Sequence, residues 1–213
     1  MLEPMSADSP ASGRLFVIAA PSGAGKTSLV YAAMQRDPTL SFSVSHTTRA
    51  PRPNEVDGRD YHFVTPQEFE RMARSGAFLE HAEVFGNRYG TGRAATEAAL
   101  AQGRGVILDI DYQGARQVRA QMPDVVDIFI LPPSRATLER RLRDRRTDSA
   151  EAIARRLADS VNEISHWSEF RYVVVNEDFE RALQDLATIM AGRGAALTAD
   201  RPGLDELAVS LRG

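Results

Sequence analysis

The chain has 213 residues, enough for one globular domain with a real hydrophobic core, and a formal net charge of −3 with 26% charged residues, a balance that excludes a bulk nucleic-acid binder. It contains no cysteine, which excludes disulfides, cysteine nucleophiles and cysteine–zinc sites and suits a reducing, cytoplasmic setting. No apolar stretch is long enough to cross a membrane.

Residues 1–13, MLEPMSADSPASG, lack the apolar centre of a signal peptide and read as a disordered leader. Residues 14–20 read as a buried parallel strand. Residues 26–36 read as a helix with Leu29, Val30 and Ala33 on one face. A short apolar–polar alternation covers 40–44. Residues 45–60 are rich in Thr, Arg, Pro and Gly and show no helical period. Thr65-Pro66-Gln67-Glu68 starts a helix, with Thr as N-cap, Pro at the first position and Glu68 placed to close a capping box. A strand over 78–84 is followed by a loop over 85–90. Residues 93–102 read as a helix stopped by Gly103, and 105–111 as an apolar strand ending in two carboxylates. A helix from about Gln113 precedes a strand over 127–131, stopped by Pro132-Pro133. Helices over 134–146 and 149–167 are split by a charged turn. A last strand (172–175) and helix (179–190) follow, and the pattern fixes nothing after Gly192. Strands alternating with helices predict an α/β fold on a parallel sheet. Residues 45–91 break the alternation and are expected to form an inserted substrate domain.

Ala20-Pro21-Ser22-Gly23-Ala24-Gly25-Lys26-Thr27 follows the first strand and opens the first helix. Apart from Ala20 in place of the first Gly, it fits the phosphate-binding pattern G-x-x-x-x-G-K-[ST]. In that pattern backbone N–H groups cradle phosphates, Lys reaches the β- and γ-phosphates, and the Ser/Thr hydroxyl meets Mg²⁺. Of the 26 basic residues Lys26 is the only lysine. A compact ammonium on a flexible stem fits inside such a loop where a planar guanidinium does not. Ala20 serves if its φ is negative.

Asp109 ends a strand beside this loop. It reads either as a carboxylate that orients Mg²⁺-bound water or as a helix cap. Arg49 and Arg52, with Pro51 and Pro53 stiffening the loop and Tyr61 nearby, offer a lysine-free grip on a second phosphate; a solvated basic loop is the alternative. The arginines of 134–156 are surface charge by default, and a subset facing the loop would cover a transferring phosphoryl group. The four histidines show no metal-ligand spacing.

The segments APSGAGKT, SVSHTTRAPRPNEVDGRDYHFV, FLEHAEVFGNRYGT, ILDIDYQGA and IFILPPS occur in the order and spacing of bacterial guanylate kinases, which the chain resembles from about 15 to 189. The resemblance implies a P-loop kinase core over 14–192, a GMP-binding insert over about 45–91, a helical lid over about 134–156 and a tail over 193–213. It implies transfer of the γ-phosphoryl group of ATP to GMP, with Mg²⁺ held by Thr27 and, through water, by Asp109. The loop residues from Ala20 to Thr27 would bind ATP, with Asn176 near the adenine. Arg49, Arg52, Tyr61 and Tyr89 would hold the GMP phosphate, and Ser45, Glu80, Thr91 and Asp111 the guanine. Lys26, Arg49, Arg141, Arg145 and Arg156 would carry the transfer. The family often has Gly where this chain has Arg146, which leaves the lid geometry open. The rival readings are a non-catalytic protein-binding relative and another small-molecule P-loop kinase. The intact Gly25-Lys26-Thr27 argues against the first, and the SHTTR and FLEHAEVFG segments against the second. dGMP as acceptor and a homo-oligomer stay open.

Overall fold

Five apolar runs become one parallel sheet in a computed structural model that describes residues 13–84, 86–144 and 150–213. The central strand β1 (Leu15–Ala19) pairs with β7 (Gly105–Asp109) on one side and β8 (Val126–Leu131) on the other. β2 (Leu40–Phe42) extends the sheet beyond β7, and β9 (Tyr172–Val175) beyond β8. Helices cover both faces, so the strands are nearly continuous hydrophobic runs. Phe16 and Ile18 pack with α1 (Lys26–Arg36) and α7 (Phe179–Met190). Leu15, Val17 and Ala19 belong to the opposite core. That core is closed by α3 (Arg93–Ala101), α4 (Tyr112–Gln121), α5 (Arg135–Arg143), α6 (Ala150–Ile164) and α8 (Leu204–Arg212). The order β2-β7-β1-β8-β9 reverses direction at β1, and the loop leaving β1 opens at this switch point, where parallel sheets bind ligands.

Residues 46–92 build a second sheet, in the order β4-β3-β6-β5, from β3 (His46–Thr47), β4 (His62–Phe63), β5 (Phe78–Val84) and β6 (Asn87–Gly92). Helix α2 (Pro66–Arg74) backs it, with the Phe69 ring 4.7 Å from that of Phe78. Thr65 caps α2, its hydroxyl accepting the Glu68 N–H at 3.2 Å. Glu68 does not return the bond and pairs with Arg71 instead, so only half of the expected capping box forms.

Several expectations need correction. The expected loop over 85–90 is largely strand β6: Gly86, at φ +74°, makes the turn, and the ladder runs on through Gly90 and Gly92. The glycines disguise the strand. A Cβ at Gly90 would stand 3.0 Å from the Phe78 ring, so this strand is glycine-rich where neighbours press on it. Strand β7 ends at Asp109, because Asp111 turns to cap α4 by accepting the Gly114 N–H at 2.8 Å. Strand β2 stops at Phe42. Helix α6 stops at Ile164, and Trp167 starts a separate 3₁₀ turn.

The tail past Gly192 is ordered: a 3₁₀ turn at Ala195–Leu197 leads to α8, whose Leu204, Ala208 and Leu211 are buried in the main core. Their i, i+4, i+7 spacing is that of a helix face. Leu211→Ala is expected to cost about 2–5 kcal/mol, the range for emptying a packed leucine site. A urea midpoint equal to that of the parent protein would show that α8 does not belong to the cooperative core.

Candidate active site

The phosphate loop takes its shape from two glycines and four bracing side chains. Gly23 and Gly25 have φ of +91° and +93°, which a β-carbon disfavours. Ala20 makes the first bend without a positive φ; Asn54 is the one non-glycine residue in that region among the described residues. A Cβ on Gly25 would stand 2.4 Å from Asn176 Nδ2. Asn176 Nδ2 donates to the Ala24 carbonyl at 2.7 Å, and the Arg141 guanidinium donates to the Ala24 and Asn176 carbonyls at 3.4 and 3.2 Å. From the other side α6 holds Ser22: Glu163 accepts its N–H at 3.1 Å and the Ser160 hydroxyl donates to its carbonyl at 3.3 Å. Gly25 N-caps α1, whose first turn carries no acidic residue and no side-chain cap among the described residues. A helix start of this kind attracts anions.

Lys26 leaves the loop to form an ion pair with Asp109 at the end of β7. Burial opposes its charge, but Asp109, Glu163 and Asp111 outweigh burial and leave its pKa above the ordinary lysine value. Glu163 is pushed up to about 6, chiefly by burial and less by Asp111 and Asp159, against the pull of Lys26 and the Ser22 N–H. Thr27, the second residue of α1, is exposed.

In front of Lys26 lies a cavity of about 200 Å³. It is lined by Lys26, Ser45, Tyr61, Glu80, Tyr89, Asp109, Asp111 and Glu163, together with Ala82, Val84 and Ile110. Glu80 is the buried end of it, only 4% exposed, and its Oε1 accepts the Thr91 hydroxyl at 2.6 Å. Burial lifts its pKa to about 7; the Thr91 hydrogen bonds oppose the rise and Asp111 adds to it. Tyr61 and Tyr89 meet edge to face at 5.9 Å.

Arg49 is already fixed. Its Nη2 donates to both Glu55 oxygens at 2.8 and 3.0 Å, its Nη1 donates to the Ala50 carbonyl at 2.8 Å, and its guanidinium lies 5.3 Å over the Tyr61 ring. The hydrogen bond to Glu55 raises its pKa further. The Arg52 backbone N–H also reaches Glu55, at 2.7 Å, so one carboxylate organises both arginines.

The structure thus brings Lys26, Ser45, Tyr61, Glu80, Tyr89, Asp109 and Asp111 around one cavity, with Thr91 behind Glu80. Arg49 stands at its rim against Tyr61, and the Arg52 side chain is exposed beyond it. Asn176 sits beneath the loop as a brace, because β9 ends there. Arg156 lies one turn before Ser160 on α6. Arg145 and Arg146 lie outside the described residues.

Comparison with known proteins gives this geometry a relationship. The family described as guanylate kinase matches residues 12–193. The chain belongs to the guanylate kinase family. A guanylate kinase of Alkalilimnicola ehrlichii is 54% identical over 201 residues, 94% of this chain and 99% of that protein. One from Nitrosococcus oceani is 59% identical over 182 residues, 85% of this chain and 90% of that protein. The solved guanylate kinase of Anaplasma phagocytophilum superposes with a TM-score of 0.70 at 37% identity, covering 92% of this chain and 94% of that one. The strands of both sheets fall within the matched span.

Two features of this guanylate kinase family site escaped the sequence reading. Glu163 reads alone as a surface residue of a helix, yet it stands three residues after Ser160 and seven after Arg156 on one face, a spacing that points all three the same way. Gln117 and Gln121, which grip the strand carrying Glu80, have no signature in a single sequence.

Proposed function

We propose that the protein transfers the γ-phosphoryl group of ATP to GMP, forming ADP and GDP. The observation that carries this reading is the buried acceptor, Glu80, facing the same 200 Å³ cavity as the phosphate-loop lysine. Guanine presents N–H donors at N1 and N2 on one edge, and a carboxylate is an acceptor suited to both. In this reading the hydroxyl of Ser45, which lines the same cavity, donates to guanine O6. Adenine presents the opposite pattern and would leave buried groups unpaired.

Phosphoryl transfer asks the protein for position and charge more than for covalent chemistry. The phosphate loop offers its N–H groups and Lys26 to the ATP phosphates. Lys26 is held beforehand by Asp109, so nucleotide binding exchanges one anionic partner for another. Arg49, Arg52, Tyr61 and Tyr89 hold the GMP phosphate, and Glu55 keeps the Arg49 guanidinium oriented before substrate arrives. The acceptor is already a phosphate anion, so no general base is needed. Arg141 and Arg156, with Arg145, supply positive charge on the ATP side.

The residues at the loop also suit Mg²⁺. The donors are oxygens, the Thr27 hydroxyl and the Asp109 carboxylate, and among the described residues no three His, Cys, Asp or Glu form a cage by themselves. Mg²⁺ binds through one or two protein oxygens, water and substrate phosphates, which fits this sparse set. Thr27 would hold it directly and Asp109 through water, and the ion would supply positive charge against the phosphates.

A coupled assay with ATP and each nucleoside monophosphate tests the assignment. GMP is expected to be the preferred acceptor, and equal use of AMP or no turnover with GMP would refute it. Arg49→Ala and Arg52→Ala are expected to raise the KM for GMP by about tenfold or more, since each removes a charge-assisted contact worth roughly 1.5–3 kcal/mol, while the KM for ATP changes far less. Equal effects on both substrates would place these arginines elsewhere.

A further inference from the structure

Strand β5 breaks the rule of alternation where it matters for the site. Phe78, Leu79 and Glu80 are buried in succession, whereas a regular strand sends every second side chain to the other face. The cause is an irregularity in its ladder with β6. Phe78 pairs with Gly92, yet Glu80 pairs with Thr91, so two steps on β5 oppose one on β6. A bulge of this kind re-aims a side chain, here turning Glu80 inward beside Thr91.

β5 is also the edge of its sheet, so its outer N–H and C=O groups need partners from elsewhere. They find them on α4. Gln117 Oε1 accepts the His81 N–H at 3.1 Å while its Nε2 donates to the His81 carbonyl at 2.9 Å. This single amide does what a residue of a neighbouring strand would do. Gln121 Nε2 donates to the Leu79 carbonyl at 2.6 Å. The residues gripped are the two that flank Glu80. Gly114, three residues before Gln117, clears the space that Glu80 occupies: a Cβ there would stand 2.7 Å from Glu80 Oε2. Gly114, Gln117 and Gln121 are spaced i, i+3, i+7, one face of one helix.

We propose that Gln117 and Gln121 are positioning residues for base recognition: by completing the outer edge of β5 across its bulge, they hold Glu80 at the end of the cavity. This rests on the reading of Glu80 as the carboxylate that meets guanine. The glutamines touch no substrate and act through the strand.

The test uses Gln117→Met/Gln121→Met in the full chain, which keeps side-chain length and helix propensity and removes the amides. The expected result is a GMP KM raised about five- to tenfold, with a narrowed preference for GMP over AMP and an ATP KM within about twofold, in line with the loss of a few neutral hydrogen bonds. A folded variant whose GMP KM and GMP/AMP ratio stay within about twofold of the parent, or whose two KM values rise equally, overturns the proposal. If the double variant fails to fold, the single variants Gln117→Met and Gln121→Met replace it, each removing one of the amides that grip β5. The same selective loss is then expected, and parent-like GMP kinetics would refute the proposal. Glu80→Gln run in parallel separates the two readings. If it leaves the base preference unchanged, the guanine reading falls; if it alters the preference while the glutamine variants do not, only the clamp falls.

Discussion

Lys26→Arg is expected to melt like the parent protein and to lose turnover by a factor of about 10² or more, the scale seen when one preorganised donor is removed from a charge-stabilising site. The argument is one of shape. The positive charge survives the substitution, and so does an ion pair with Asp109, because a guanidinium binds carboxylates at least as well as an ammonium does. What the longer, planar group loses is entry to the loop. Gly25 leaves no room for a Cβ against Asn176, the Ala24 carbonyl is claimed by Asn176 and Arg141, and Ser22 is held by Ser160 and Glu163. A loop braced from both sides does not widen to admit a fork. The fold has no comparable stake, because the side chain is partly exposed and belongs to neither hydrophobic core. The measurement is kcat at saturating ATP and GMP together with the thermal midpoint. Near-normal turnover would show that Lys26 is not the phosphate lysine.

How far the sequence revealed this site follows from how local each piece is. The phosphate loop is contiguous, so Gly23, Gly25, Lys26 and Thr27 could be read directly, and the flanking strand and helix had strong periodicity. Ser45, Tyr61, Glu80, Tyr89 and Asp111 come from separate segments, and only resemblance to a family gathered them before the structure did. The bracing contacts were invisible because they are long-range: Ser160, Glu163 and Asn176 reach Ser22 and Ala24 across more than 130 positions of the chain. Strand β6 was hidden by glycines that make room for Phe78 and His46, a case of tertiary packing overriding local propensity. Helix α8 is different. Its apolar spacing was present in the sequence, but it starts at Gly203 without a capping side chain, so the usual sign of a helix start was missing.

Glu80→Gln is expected to abolish most discrimination between GMP and AMP. The wild-type carboxylate offers acceptors to both guanine donors, whereas the glutamine amide sets an NH₂ against one of them in a buried site, so the loss of GMP use should exceed that of a simple deletion. The pH dependence gives an independent handle. Burial holds the Glu80 pKa near 7 in the free protein, above the ordinary value of 4.5. A carboxyl shifted in this direction favours the folded state when protonated. Its contribution is fully present below the ordinary pKa and is lost as pH rises through about 7. On the proposed reading guanine binding reverses the preference, because the base would pair with the ionised form. The KM for GMP is therefore expected to rise as pH falls below about 7, and the free protein to lose this contribution to stability as pH rises from about 4.5 to about 7. Glu80→Gln, a neutral mimic of the protonated side chain, should flatten both trends and leave the free variant at least as stable as the parent at pH values above the shifted pKa. Measuring kcat/KM for GMP and AMP across this range in both proteins decides the matter. If the GMP/AMP ratio moves by less than a factor of about two, or roughly 0.4 kcal/mol, Glu80 does not read the base, and the acceptor pocket must be sought on another face of the second sheet.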